Sequence, residues 1–228
     1  MLKDQNTAEI LRIEHLNKDY GNRAILRDIN LKLNSGDFIY LIGNNGSGKS
    51  TLLNLIRHED VPDDGIIQVG TFRLDKLKKK NVPYYRRMVG YVRQDDQLIP
   101  HVTVKRNLTY PLEALGYPNS VIKQRYEDAL AIVGIYDRRN EITDNLSSGE
   151  RQLVSIAQAL INKPEILLVD EPTSNLSPAL SDKMFAALDK ISAMNTTVID
   201  VTHNDEQLEK YPHPTYWLHN KTLQRATY

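Results

Sequence analysis

FIYLIGNNGSGKSTLLNLI, residues 38–56, decides how the rest of the chain is read. Five apolar residues, 38–42, have the length of a buried strand. A glycine-rich loop follows, and KSTLLNLI then opens a helix. Residues 43–50 match G-x-x-x-x-G-K-[ST] in the strand–loop–helix setting that a phosphate-binding loop requires. Gly43, Gly46 and Gly48 let the backbone wrap closely, so the N–H groups from Asn44, Asn45 and Ser47 onward can face an anion. Lys49 is placed to reach the outer phosphates, and Ser50, followed by Thr51, offers a hydroxyl to Mg2+.

Working outward, strands are expected at 9–16, 24–33, 37–42, 65–69, 88–92, 166–169 and 196–201. Two helices within 103–134, broken at Gly116-Tyr117-Pro118-Asn119, are followed by helices at 150–162 and 178–193. Residues 81–87, NVPYYRR, read as a short basic segment, and 215–226 as a hairpin turning at Asn220-Lys221. Strands alternating with helices argue for an α/β fold with a mainly parallel sheet. The expectation is one domain over 1–228: a P-loop NTPase core, an N-terminal antiparallel β-subdomain and an α-helical subdomain inserted at about 95–160.

The 228 residues carry 29 Lys+Arg against 29 Asp+Glu, a balance that argues against a nucleic-acid partner. With no cysteine, disulfides, thiolate metal sites and a cysteine nucleophile are excluded. No apolar run approaches the roughly 18 residues that span a bilayer, and the N-terminal MLKDQNTAEI lacks the apolar core of a signal peptide. The expected location is therefore cytoplasmic, with any membrane role coming through a partner.

Further chemistry clusters at strand ends. In ILLVDEP, 166–172, Asp170 closes a buried strand where α/β sheets place ligands, and is a candidate Mg2+ ligand. Glu171 follows directly and can deprotonate an attacking water. His203 lies two residues past the strand at 196–201, where it can contact a γ-phosphate. Gln94, after the strand at 88–92, can touch both the metal and the water, and Tyr20 can stack on an adenine ring. A second anion site is suggested at NLSSGERQL, 145–153, where small residues open a helix.

In their order, Tyr20, 43–51, Gln94, 146–152, 166–171 and His203 resemble the ATP-binding-cassette ATPases over nearly the whole chain. The resemblance implies Mg-dependent hydrolysis of ATP, with Glu171, His203, Lys49 and Gln94 as catalytic residues and Ser50, Gln94 and Asp170 around the metal. It also gives the second anion site a use. Ser147, Ser148, Gly149 and Glu150 would close, in trans, over the ATP held by another copy, so that a nucleotide-dependent homodimer holds two ATP. Three positions depart from the family pattern. Ser148 and Glu150 stand for Gly and Gln in the signature, with Glu150 adding a negative charge near the partner's γ-phosphate. Ser177 replaces the Asp of the loop after Glu171, although Ser177-Pro178 makes a good N-cap and N1 pair. Val82-Pro83, Arg86-Arg87 and TVKRNLTYPL are most similar to the cell-division branch, with lipoprotein-release and macrolide-export ATPases close by. That branch implies an FtsX-like membrane subunit and a peripheral place on the cytoplasmic face of the membrane.

Overall fold

A computed structural model describes residues 8–95, 97–172 and 176–226. The expected N-terminal signal-peptide-free stretch, Asp96 of the segment after Gln94, and Ser174-Asn175 before Leu176 lie wholly or partly outside them. Two sheets form the frame. The first is antiparallel, in the order β2-β1-β4-β5, from β1 (Glu9–Tyr20), β2 (Arg23–Asn34), β4 (Asp64–Val69) and β5 (Phe72–Arg73). The second runs β10-β9-β3-β8-β7-β6. It contains β3 (Phe38–Ile42), β6 (Val89–Val92), β7 (Ile166–Asp170), β8 (Thr197–Val201), β9 (Thr215–His219) and β10 (Thr222–Arg225). All its pairings are parallel except β9 with β10.

The helices are α1 (Lys49–Ile56), α2 (Val82–Met88), α3 (Val104–Ala114), α4 (Asn119–Val133), α5 (Ser148–Leu160), α6 (Pro178–Ala193) and α7 (Asp205–Lys210). Strand alternation sends side chains to two separate cores. Phe38, Tyr40, Leu167, Val169 and Val198 pack with α3–α6. Ile39, Leu41, Ile166, Leu168, Ile199 and Val201 pack with α1 and the antiparallel sheet. The central strands are thus buried on both faces, which explains their continuous apolar runs.

Three local readings change. The basic segment becomes α2, because Pro83 in its first turn starts a helix readily. Strand β1 runs on to Tyr20, four residues past the expected end, because bulges at 13–19 break its alternation. Ser177 does occupy the N-cap of α6, with Pro178 at the first helical position, but its side chain makes no capping hydrogen bond. The hairpin turns at Asn220-Lys221, both at positive φ, as a two-residue turn requires.

Candidate active site

Strands β3, β8, β7 and β6 are parallel neighbours, so their C-terminal ends share one edge of the sheet. The glycine-rich loop leaves β3 there, His203 follows β8, Asp170-Glu171 closes β7, and Gln94 follows β6. This juxtaposition is dictated by topology, and it is where open α/β sheets bind ligands. A cleft of about 300 Å3 opens at that edge, lined by Asn45, Gly46 and Gly48 to Thr51 of the loop together with Gln94, Asp170, Glu171, Arg23 and Ile25.

The loop fits a polyphosphate. Gly48, at φ 108°, heads α1 without a side-chain cap, leaving the first-turn N–H groups to an anion. A Cβ at Gly43 would stand 2.5 Å from the Leu218 carbonyl oxygen and 2.7 Å from Ser47 Oγ. The Ser47 hydroxyl is buried without a hydrogen-bond partner among the described residues. Lys49 Nζ donates to the carbonyls of Gly43 (2.6 Å) and Asn44 (3.2 Å), so its ammonium already lies inside the curve of the loop. Burial pulls its pKa down, while the charges of Glu171 and Asp170 oppose that pull.

The acidic side faces it. Asp170 Oδ2 accepts a hydrogen bond from the Tyr91 hydroxyl at 3.1 Å. Burial raises the Asp170 carboxyl, and the Tyr91 bond works against the rise. Burial and the Asp170 charge push the Tyr91 phenol up to about 12, so it remains a donor at physiological pH. The Arg57 guanidinium lies 3.8 Å from the Tyr91 ring centroid. Glu171 adopts φ 49°, a left-handed conformation that costs a non-glycine residue roughly 1–2 kcal/mol. Its N–H donates to the Val201 carbonyl at 2.9 Å, which holds the kink in place. His203 Nδ1 lies 3.0 Å from Glu171 Oε1. Against an ionised carboxylate, which only accepts, Nδ1 carries the proton. Two carboxylates, the Ser50 hydroxyl and the Gln94 amide make up an oxygen-rich donor set, the chemistry that a small hard cation takes.

Tyr20 is brought close but not into the cleft. It ends β1, is 48% exposed, and donates to Asp60 Oδ2 at 2.7 Å. Tyr91, Arg23 and Asp60 belong to no motif that marks them in the sequence. Tyr91 alone left a trace, as a polar-tipped ring within an otherwise apolar strand.

Residues 147–150 do not line this cleft. They open α5, where Ser147 and Glu150 form a reciprocal capping box. Glu150 Oε2 accepts from the Ser147 N–H (2.9 Å) and hydroxyl (2.8 Å), and Oε1 pairs with Arg138 at 3.2 Å. The Glu150 carboxylate is therefore turned back onto its own helix start and paired, while Ser148 stays exposed. Gly149 is buried under Leu180 and Leu176 of the α6 region. The Ser147 bonds hold the Glu150 carboxyl below its usual range, so its stabilising effect is full above the ordinary glutamate pKa and is lost as pH falls through the lowered one. Glu150→Gln keeps an acceptor for the capping box but removes the charge at the helix N-terminus, and should lower stability by about 0.3–1 kcal/mol at pH 7. Chemical denaturation at pH 7 and below pH 4 checks this: the deficit should vanish at the acid end.

A nucleotide loop after β3, an acidic pair at the end of β7 on the same edge of the sheet and a separate small-residue helix start define an ATP-hydrolysing cassette. The chain matches the ABC transporter family over residues 26–174 and belongs to it as one of its ATPases. Among relatives, it is 38% identical over 197 residues to the cell division ATP-binding protein FtsE of Mycobacterium tuberculosis, covering 86% of each chain. It is 36% identical over 217 residues to FtsE of Streptococcus pneumoniae, covering 95% of this chain and 94% of that one. Among solved structures, cbiO1 from Clostridium perfringens, part of the ABC transporter complex cbiONQ, superposes with a TM-score of 0.88 at 27% identity, covering 95% of this chain and 87% of that one. The cassette MJ0796, a dimer in a post-hydrolysis state bound to ADP and Pi, gives 0.82 at 27% identity, covering 96% and 98%.

Proposed function

We propose that this ATPase drives an FtsX-like membrane subunit in cell division, controlling peptidoglycan hydrolysis from the cytoplasmic face of the membrane. The observation that carries this is similarity to FtsE proteins at 36–38% identity over 86–95% of the chain. Among the described residues, no helix is long and apolar enough to cross a membrane.

In this reading the chain is one nucleotide-binding domain, with α3–α5 as its inserted helical part. The loop from Gly43 to Thr51 binds the phosphates of ATP, and Lys49 neutralises their outer charge. Ser50, Gln94 and Asp170 hold Mg2+, which when bound screens the phosphate oxygens. Glu171 accepts a proton from the attacking water. His203, held by Glu171 through Nδ1, turns its other nitrogen to the γ-phosphate, and Tyr20 stacks on the adenine. Ser147, Ser148, Gly149 and Glu150 act on the nucleotide of a second copy. Their exclusion from their own chain's cleft supports a head-to-tail dimer.

A tagged pull-down from detergent-solubilised membranes, read by mass spectrometry, tests the partner. Co-purification of an FtsX-like protein with linked hydrolases is the expected result. Recovery of a lipoprotein-release or efflux permease in its place would contradict the cell-division role.

A further inference from the structure

The ring of Tyr20 is unusually well tied for an exposed side chain. It stands on the last residue of β1, where an aromatic group left to itself would sample several rotamers. Its hydroxyl donates to Asp60 Oδ2 at 2.7 Å, and the Thr51 side chain reaches the same hydroxyl. The other Asp60 oxygen accepts from Lys18 Nζ at 2.9 Å and from the Val61 N–H at 2.7 Å. Lys18 is only 6% exposed. It also donates to the Val61 carbonyl at 2.7 Å, and its ammonium lies 5.1 Å from the Tyr20 ring centroid. One face of the ring is thereby backed by a cation.

Asp60 is itself anchored. The turn after α1 folds back on that helix, with the N–H groups of Glu59 and Asp60 donating to the Asn54 carbonyl at 2.9 and 3.4 Å. The phosphate loop heads the same helix. The ring at the end of the antiparallel sheet is thus joined, through one carboxylate, to the element that carries the phosphate site. Burial alone would raise the Asp60 carboxyl, but the Tyr20 hydroxyl and Lys18 more than offset it and hold the group below its usual range. An ionised carboxylate is an acceptor only, which fixes the direction of the Tyr20 O–H.

We infer that Asp60 is a positioning residue for the nucleobase: with Lys18 it sets the Tyr20 ring, before ATP arrives, at a fixed distance from the phosphate loop. This rests on the reading of Tyr20 as the adenine-stacking residue. The gain is preorganisation, since a ring already held loses little freedom when the base docks. Asp60 then contributes to affinity for ATP and nothing to affinity for a bare polyphosphate chain.

The test compares dissociation constants for ATP and for inorganic tripolyphosphate in the wild type, Tyr20→Ala, Tyr20→Phe and Asp60→Ala, each first shown to be folded by circular dichroism. Tyr20→Ala should weaken ATP by roughly tenfold and leave tripolyphosphate unchanged. Asp60→Ala and Tyr20→Phe should each weaken ATP by about three- to fivefold, again with tripolyphosphate unchanged. If Tyr20→Ala weakens ATP while Asp60→Ala and Tyr20→Phe do not, the positioning role is overturned and stacking stands. If Asp60→Ala weakens both ligands equally, the residue merely supports the fold and the inference fails. If Tyr20→Ala leaves ATP unaffected, the stacking reading fails and takes the inference with it.

Discussion

Lys49→Ala is expected to lose ATP affinity by about 100-fold or more. The side chain is 8% exposed, and its ammonium already lies inside the loop on the Gly43 and Asn44 carbonyls. A phosphate entering that curve meets a desolvated positive charge, where a charge-assisted contact is at its strongest. Truncating one member of such a buried pair costs roughly 2–5 kcal/mol, and each 1.4 kcal/mol is tenfold in affinity. The folded chain should suffer far less than the complex, because burial already works against this charge. Calorimetric titration gives the affinity, and thermal unfolding gives the control. ATP should raise the wild-type melting temperature by mass action and leave that of the variant almost unmoved. Undiminished affinity would remove the loop from its assigned role.

Glu171→Gln is expected to bind ATP as the wild type does and to lose turnover by about 100-fold or more, the range attributed to a positioned general base. The substitution keeps the shape of the site. The glutamine carbonyl oxygen can still accept from His203 Nδ1, now 3.0 Å from Oε1, and the backbone bond to Val201 is untouched. What disappears is the ability to take up a proton. Steady-state phosphate release measures the loss, and normal turnover would exclude Glu171 as the base. The left-handed backbone of this residue supports the assignment. Strain of that kind persists where the surrounding structure enforces it, and here it sets Glu171 in the lining of the cleft, where its charge acts on Lys49.

Much of this site was legible in the sequence, for a physical reason. The loop, the acidic pair and His203 are each defined by a few adjacent residues at the end of an apolar strand, and parallel pairing alone brings those ends together. What could not be read depends on contacts between distant parts of the chain. Tyr91 meets Asp170 across 79 positions, and Tyr20 meets Asp60 across 40. Neither separation follows a helical or strand period. The end of β1 was hidden for a related reason, since its bulges scramble the alternation that marks a strand. Glu150 shows the limit most clearly. Its sequence position announces a charge at a helix start, but only the fold reveals that Ser147 and Arg138 occupy both of its oxygens.

In the head-to-tail dimer each nucleotide site is completed by a second copy of the chain. Because the chain has no cysteine, paired cysteines introduced at Asn45 in the loop and Ser148 in the signature, both exposed, report on it directly. The measurement is disulfide formation under mild oxidation in the Glu171→Gln background, with and without ATP and Mg2+. Covalent dimers should form rapidly with ATP and not without it, and should fail to form when Lys49 is also replaced by alanine. A chain that stays monomeric with ATP bound, its two cysteines unreacted or joined within one molecule, would contradict it.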